Sequence, residues 1–165
     1  MQDEIQDEFT VKTDDNELTL EEMSGALPDT STIMARVGHS WWHLIYAARG
    51  GNWGLAQYYH DRVKKLASKL AVLRPKHRER LEVFQAQALR FVTAAIEARD
   101  LARLEEAYAT ATDLANHLHV ESGYPYVRWV LPGEAPKGLD LGPVVPDGAA
   151  TGPAPDGKGD GQGRH

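Results

Sequence analysis

Between residues 31 and 120 the apolar positions recur at steps of three and four, the period of helices that each bury one face. Met34, Val37, Trp41, Leu44 or Ile45, and Ala48 form the first series and predict a helix over 31–49. Asp29, Thr30 and Ser31 stand before it as N-cap candidates, and Gly50-Gly51 ends it. Asn52 is placed to cap a second helix that runs to residue 73, with Leu55, Tyr59, Leu66, Leu70 and Leu73 as its stripe. Pro75 opens a third run over 75–98, because proline suits a first helical turn. Leu81, Phe84, Ala88, Phe91 and Ala95 are its apolar positions, and Arg99-Asp100 marks a short break. The fourth run, 101–120, places Leu101, Leu104, Tyr108, Ala111, Ala115 and Leu118 at seam spacing. Gly123 stops it and Pro125 prevents resumption.

Connections this short force neighbouring helices to run antiparallel. The expected fold is therefore all-α, an antiparallel up-down-up-down four-helix bundle over residues 23–141. Ala88, Ala95, Ala111 and Ala115, opposite bulky aromatics, predict either close packing or a pocket. Residues 124–141 hold too many prolines for a helix. They are expected to lie across the end of the bundle, with Tyr124, Tyr126 and Trp129 as anchors and as a surface for a partner. Residues 1–22 read as an acidic disordered arm, and residues 142–165 as a Gly/Pro-rich flexible tail.

A length of 165 residues suits one domain, and 42% apolar content is enough for a core. The chain has no cysteine, which excludes disulfides, thiolate metal sites and thiol catalysis. Its acidic start does not read as a secretory leader, and no segment approaches the ~20 apolar residues of a membrane span. The sequence as it stands thus predicts a cytoplasmic protein. The net charge of −6 conceals an asymmetry: residues 1–22 carry nine acids and one lysine, leaving about +2 on the rest. Arg62, Lys64, Lys65, Lys69, Arg74, Lys76, Arg78 and Arg80 face only Asp61 and Glu79 in the stretch 61–80. Either this is a solvated face, or Arg62, Lys65 and Lys69 meet an anionic protein partner or the acidic arm. The stretch lacks interleaved aromatics for base stacking, so no nucleic acid is expected.

His39 and His43 lie four residues apart on the first helix and make a two-residue metal candidate, short of the three or four ligands usual for zinc. His117 and His119 diverge by about 200° on a helix and cannot share an ion. No phosphate loop, nucleophile elbow, His-Glu-x-x-His or dinucleotide fingerprint is present, and the chain is not expected to be an enzyme.

One constellation carries a resemblance. Ala115-Asn116-His117-Leu118-His119 has the frame of a haem-attachment motif with apolar residues at both cysteine positions. Around it stand Gly123-Tyr124-Pro125-Tyr126-Val127-Arg128-Trp129, Gly51-Asn52-Trp53-Gly54-Leu55-Ala56-Gln57-Tyr58, Met23 and Met34. Together they resemble a family of small helical cytochrome c-like proteins of the cytochrome c-prime type, over about residues 23–141. The resemblance implies a four-helix bundle in which His119 keeps the place of the iron ligand. It also implies Met34 or His39 on the opposite side and Arg128 beside a propionate. Without cysteines no thioether can form, so any haem here is non-covalent. Each residue also has a structural reading: His119 caps the last helical carbonyls, Met34 belongs to the core, and Arg128 stacks on an aromatic ring. In the family, haem is attached outside the cytoplasm, which implies export and a leader removed from this chain. The leading expectation is a non-catalytic protein without cofactor that binds a protein partner or a small apolar ligand. The alternatives are a non-covalent haem or metal protein for electron transfer or gas sensing, and an unrecognised enzyme.

Overall fold

The computed structural model describes residues 9–144, and these are mostly helical. Helix α2 spans Thr30–Arg49, α3 spans Trp53–Leu73, and α6 spans Leu101–Glu121. Between α3 and α6 one unbroken helical run passes through a 3₁₀ turn Pro75–His77, α4 Arg78–Phe84, a π-helical turn Gln85–Leu89 and α5 Arg90–Glu97. All four runs lie within one or two residues of the expected bounds, because their ends are set by local chemistry. Asp29, Asn52 and Asp100 cap α2, α3 and α6, each accepting from the backbone N–H three residues on. In chain order each run packs on the next, and α6 returns to α2.

Three of these helices end in the same two-bond C-terminal motif, in which the chain turns left-handed one residue past the cap. Gly51 (φ 86°) and Gly123 (φ 87°) fill that position after α2 and α6. After α5 it is taken by Arg99, with φ 51°. The Asp100 N–H donates to the Ala95 carbonyl and the Arg99 N–H to that of Ile96, so the motif is complete. A side chain in this region is strained by its own Cβ. We therefore expect Arg99→Gly to stabilise the protein by about 1 kcal/mol in thermal or urea unfolding. An unchanged midpoint would show that the arginine is not strained there.

The sequence placed Phe91 on the inner stripe, and the structure corrects this: Phe91 is 52% exposed. The π-turn inserts one extra residue into the helical count and rotates everything after it. The inward positions become Leu89, Val92, Ala95 and Ile96, while Phe91 faces out beneath the Arg90 guanidinium, 4.6 Å from the ring centre.

Part of the expected acidic arm is structured. Thr10–Lys12 and Glu17–Thr19 pair as an antiparallel hairpin (β1 and β2), with Thr10 opposite Thr19, and lead into α1, Leu20–Ala26. The turn is held by Thr13 and Asn16, whose backbone and side-chain groups bond each other. Thr19 and Glu22 form a reciprocal cap on α1, satisfying two otherwise unpaired N–H groups. Charge composition is blind to such local bonds. Residues 1–8 of the expected arm and residues 145–165 of the expected tail lie outside the described residues.

Residues 124–143 also differ from expectation. They do not lie across one end but form a strap along α2, with contacts from Gly38 to beyond its last turn. The Trp129 indole lies on Gly38, where an added Cβ would touch the ring at 3.5 Å. The Tyr46 hydroxyl donates to the Pro132 carbonyl at 2.6 Å, and the Trp42 Nε1–H to that of Glu134 at 3.2 Å. Asn52 Nδ2 donates to the Asp140 carbonyl. At Gly50 the strap backbone comes so close that a Cβ would sit 2.1 Å from the Leu141 oxygen. Prolines keep the segment from helix, and polar groups spaced along α2 satisfy its carbonyls.

Candidate cleft at one helix end

The beginning of α2, the end of α3, the beginning of α4 and the end of α6 enclose an apolar cleft of about 110 Å³. Val37, Val63, Leu70, Phe84 and Ala115 form its floor. Met34, Leu118, His119, Tyr124 and Trp129 wall one side. Of the four candidate alanines, Ala95 and Ala111 are packed against neighbours, while Ala115 borders this space. Small residues thus give both outcomes that the sequence left open. Leu118, placed on the buried seam by its spacing, is only partly buried because it faces the cleft.

The strap supplies one wall through a specific clamp. Asn116 Oδ1 accepts from the Trp129 N–H at 2.7 Å, and its Nδ2 donates to the Trp129 carbonyl at 2.9 Å. This pair of bonds mimics a strand pairing and fixes the indole against Gly38. His119 is not a helix cap: its Nδ1 donates to the Val127 carbonyl at 3.0 Å, which leaves Nε2 as the second ring nitrogen. The ring meets Trp129 edge-on at 5.4 Å. Burial holds the His119 pKa below the ordinary histidine value, partly offset by the Val127 bond.

His77 and Arg80 also line the cleft, and the sequence pointed to neither. His77 Nε2 is buried without a hydrogen-bond partner. Burial, and then the charges of Lys76, Arg80 and Arg74, push the His77 pKa down. Arg80 donates to two backbone carbonyls, of Lys76 at 3.4 Å and of Glu121 at 3.3 Å. A second unselected group is His60, which is 0% exposed beneath α5. The Thr93 hydroxyl donates to the Leu89 carbonyl, so it accepts from His60 Nε2 at 3.0 Å. His60 Nδ1 is then left without a hydrogen-bond partner, 3.7 Å from an Asp61 carboxylate oxygen.

The other candidates are dispersed. Arg128 is exposed and does not border the cleft. The arginine–ring pairs among the described residues are Arg49–Tyr46, Arg62–Tyr58 and Arg90–Phe91, so the stacking expected for Arg128 is not formed. His39 and His43 stack with ring centres 3.8 Å apart, and His43 Nδ1 is committed to the His39 carbonyl. No group of three or more potential metal ligands occurs among the described residues. Tyr124 borders the cleft, whereas Tyr126 is 78% exposed and anchors nothing. Lys65 and Lys69 are exposed on the outer face of α3, where Arg62 lies over the Tyr58 ring. No helix of the described residues is long and apolar enough to cross a membrane.

The chain matches no family model, no curated protein and no solved structure.

Proposed function

We propose that this is a non-catalytic helical protein that binds a small apolar ligand in the cleft between the helix ends. In this reading the four helical runs form an antiparallel up-down-up-down four-helix bundle. Support comes from the cleft itself, where two helix beginnings and two helix ends meet. The observation that carries the function is the apolar lining of this cleft, which opens between the helix ends beside the buried core. A cavity of about 150 Å³ with aliphatic walls takes benzene, so about 110 Å³ suits one ring or a short chain. The resemblance to cytochrome c-like proteins belongs to the same proposal. Ala115 and Leu118, at its two cysteine positions, both border the cleft, as do His119 and Met34.

A haem reading has that shared location in its favour. Pockets for larger ligands measure about 300–1,000 Å³, and a porphyrin does not fit the cleft in its present form. The small-ligand reading is therefore preferred, with the strap as a wall that a protein partner could also contact at Tyr126.

Titration calorimetry with 3-phenyl-1-propanol tests the proposal. Saturable one-to-one binding is expected, and Ala115→Leu, which fills the cleft from its floor, should weaken it about tenfold or more at unchanged helical content. No saturable binding, or binding untouched by Ala115→Leu in a folded variant, would overturn the proposal. Added haemin should give no sharp Soret band.

A further inference from the structure

We infer that the ligand of this cleft is an apolar monocarboxylate, its carboxylate held at the rim by Arg80 and by the His77 Nε2–H. The inference rests on the small-ligand reading above and adds the head group. Among the described residues no aspartate or glutamate lines the cleft, so an anion entering it meets no like charge from them. Among the described residues no carboxylate lies within ion-pair distance of Arg80, and its two bonds to backbone carbonyls are both long. A guanidinium with spare donors favours a planar carboxylate, which it grips through two oxygens at once.

His77 supplies an independent observation. His77 lines the apolar cleft, and its Nε2 is buried with no hydrogen-bond partner among the described residues, a state that folded proteins rarely leave unexplained. A neutral imidazole can carry its proton on either nitrogen, so Nε2 can offer an N–H to an acceptor. Burial first, and then the charges of Lys76, Arg80 and Arg74, disfavour a proton on that ring, so three cations stand near it. A carboxylate there relieves this field and satisfies the orphaned nitrogen together. Met34, Leu118 and Trp129 are also in the cleft lining, which suits a hydrocarbon tail and not a second charge. One guanidinium and one imidazole N–H at the mouth match one carboxylate. They do not match the several donors that a phosphate monoester demands.

Three probes of matched size, with inorganic phosphate as a fourth, are titrated into the full chain and separate the head from the tail. 3-Phenylpropionate should bind about tenfold tighter than 3-phenyl-1-propanol, and 3-phenylpropylamine should bind weaker than the alcohol. Inorganic phosphate alone should bind weakly and should not displace the alcohol. Arg80→Gln should remove most of the preference for the propionate over the alcohol, read as the ratio of their affinities in that variant. Equal wild-type affinities for propionate and alcohol would overturn the inference and leave the apolar cleft standing. Failure of both to bind would remove the cleft reading as well. Phosphate that displaces 3-phenylpropionate would also overturn it, because the anion would then bind without its tail. Should Arg80→Gln not fold, the wild-type ranking of the four probes decides by itself.

Discussion

Trp41→Ala is expected to destabilise the protein by about 3–5 kcal/mol, the range for removing a large buried aromatic. Trp41 is 3% exposed and stacks on Tyr108 of α6 with ring centres 4.5 Å apart and planes 11° from parallel. Its edge meets Phe84, at the end of α4, at 6.2 Å. One side chain therefore joins three helical runs, and its loss leaves a cavity bordered by two other aromatics. The indole N–H donates to the Thr112 hydroxyl at 2.9 Å, and that hydroxyl in turn donates to the Tyr108 carbonyl. Trp41→Phe keeps the stacking and loses the hydrogen bond, which adds about 1 kcal/mol to the cost of the smaller ring. The adjacent Trp42 sits at the edge and bonds only the strap carbonyl of Glu134, so Trp42→Ala should cost clearly less. Urea unfolding of the three variants gives the ranking. A loss below about 1 kcal/mol for Trp41→Ala would place the indole outside the core.

The helix bounds were legible because they depend on neighbours in sequence: Asp29, Asn52 and Asp100 cap, and Gly51 and Gly123 turn the chain. Arg99 was legible only as a break, since its side chain gives no sign of left-handed backbone. The stripe of α3 was read from its leucines, yet its most buried positions include Ala56, His60, Val63 and Ala67. This helix makes its largest contact with α2, where Ala47 and Ala48 are also buried. Small residues let two helices approach, and a count of bulky apolar residues overlooks them. Phe91 was misplaced by the π-turn, for which no proline or glycine within Gln85–Leu89 gives a warning. The strap was recognised as non-helical from its prolines. Its course along α2 depends on partners such as Tyr46 and Gly50, far away in sequence.

Of the cleft, the resemblance supplied Met34 and His119, and seam spacing supplied Ala115 and Leu118. His77 and Arg80 escaped because in sequence they belong to a basic run that looks like a solvated face. Only the 3₁₀ turn after Pro75 carries the His77 ring over the end of the core. Asn116 was invisible for a related reason: an asparagine in a helix declares no function until the Trp129 backbone arrives beside it.

Stability should fall as the pH drops below about 6.5, well before the carboxylates titrate. His39, His60, His77 and His119 all have folded pKa values below the ordinary 6.5, with burial as the first cause in each. The neutral ring is thus favoured in the folded state, while the unfolded chain takes up a proton near pH 6.5. In this window the unfolded state binds more protons, so the stability present above 6.5 is lost on acidification until each folded value is reached. Each buried histidine still neutral when folded contributes a slope of about 1.4 kcal/mol per pH unit, whereas the exposed His39 is screened by solvent and contributes little. His60 should contribute most, as it is 0% exposed; Lys64 also disfavours its charge, while Asp61 and Glu97 oppose the shift. Asp29 acts in a separate, lower window: its pKa is held below 3.8 chiefly by the Thr32 N–H, and its contribution is lost only under stronger acid. His60→Gln removes the titration and keeps an amide within reach of Thr93. Urea unfolding from about pH 7.5 to pH 5 should show a steep decline for the native chain and a slope shallower by about one histidine for the variant. A flat native profile over that range, or identical slopes for the two proteins, would mean that His60 is protonated as readily folded as unfolded.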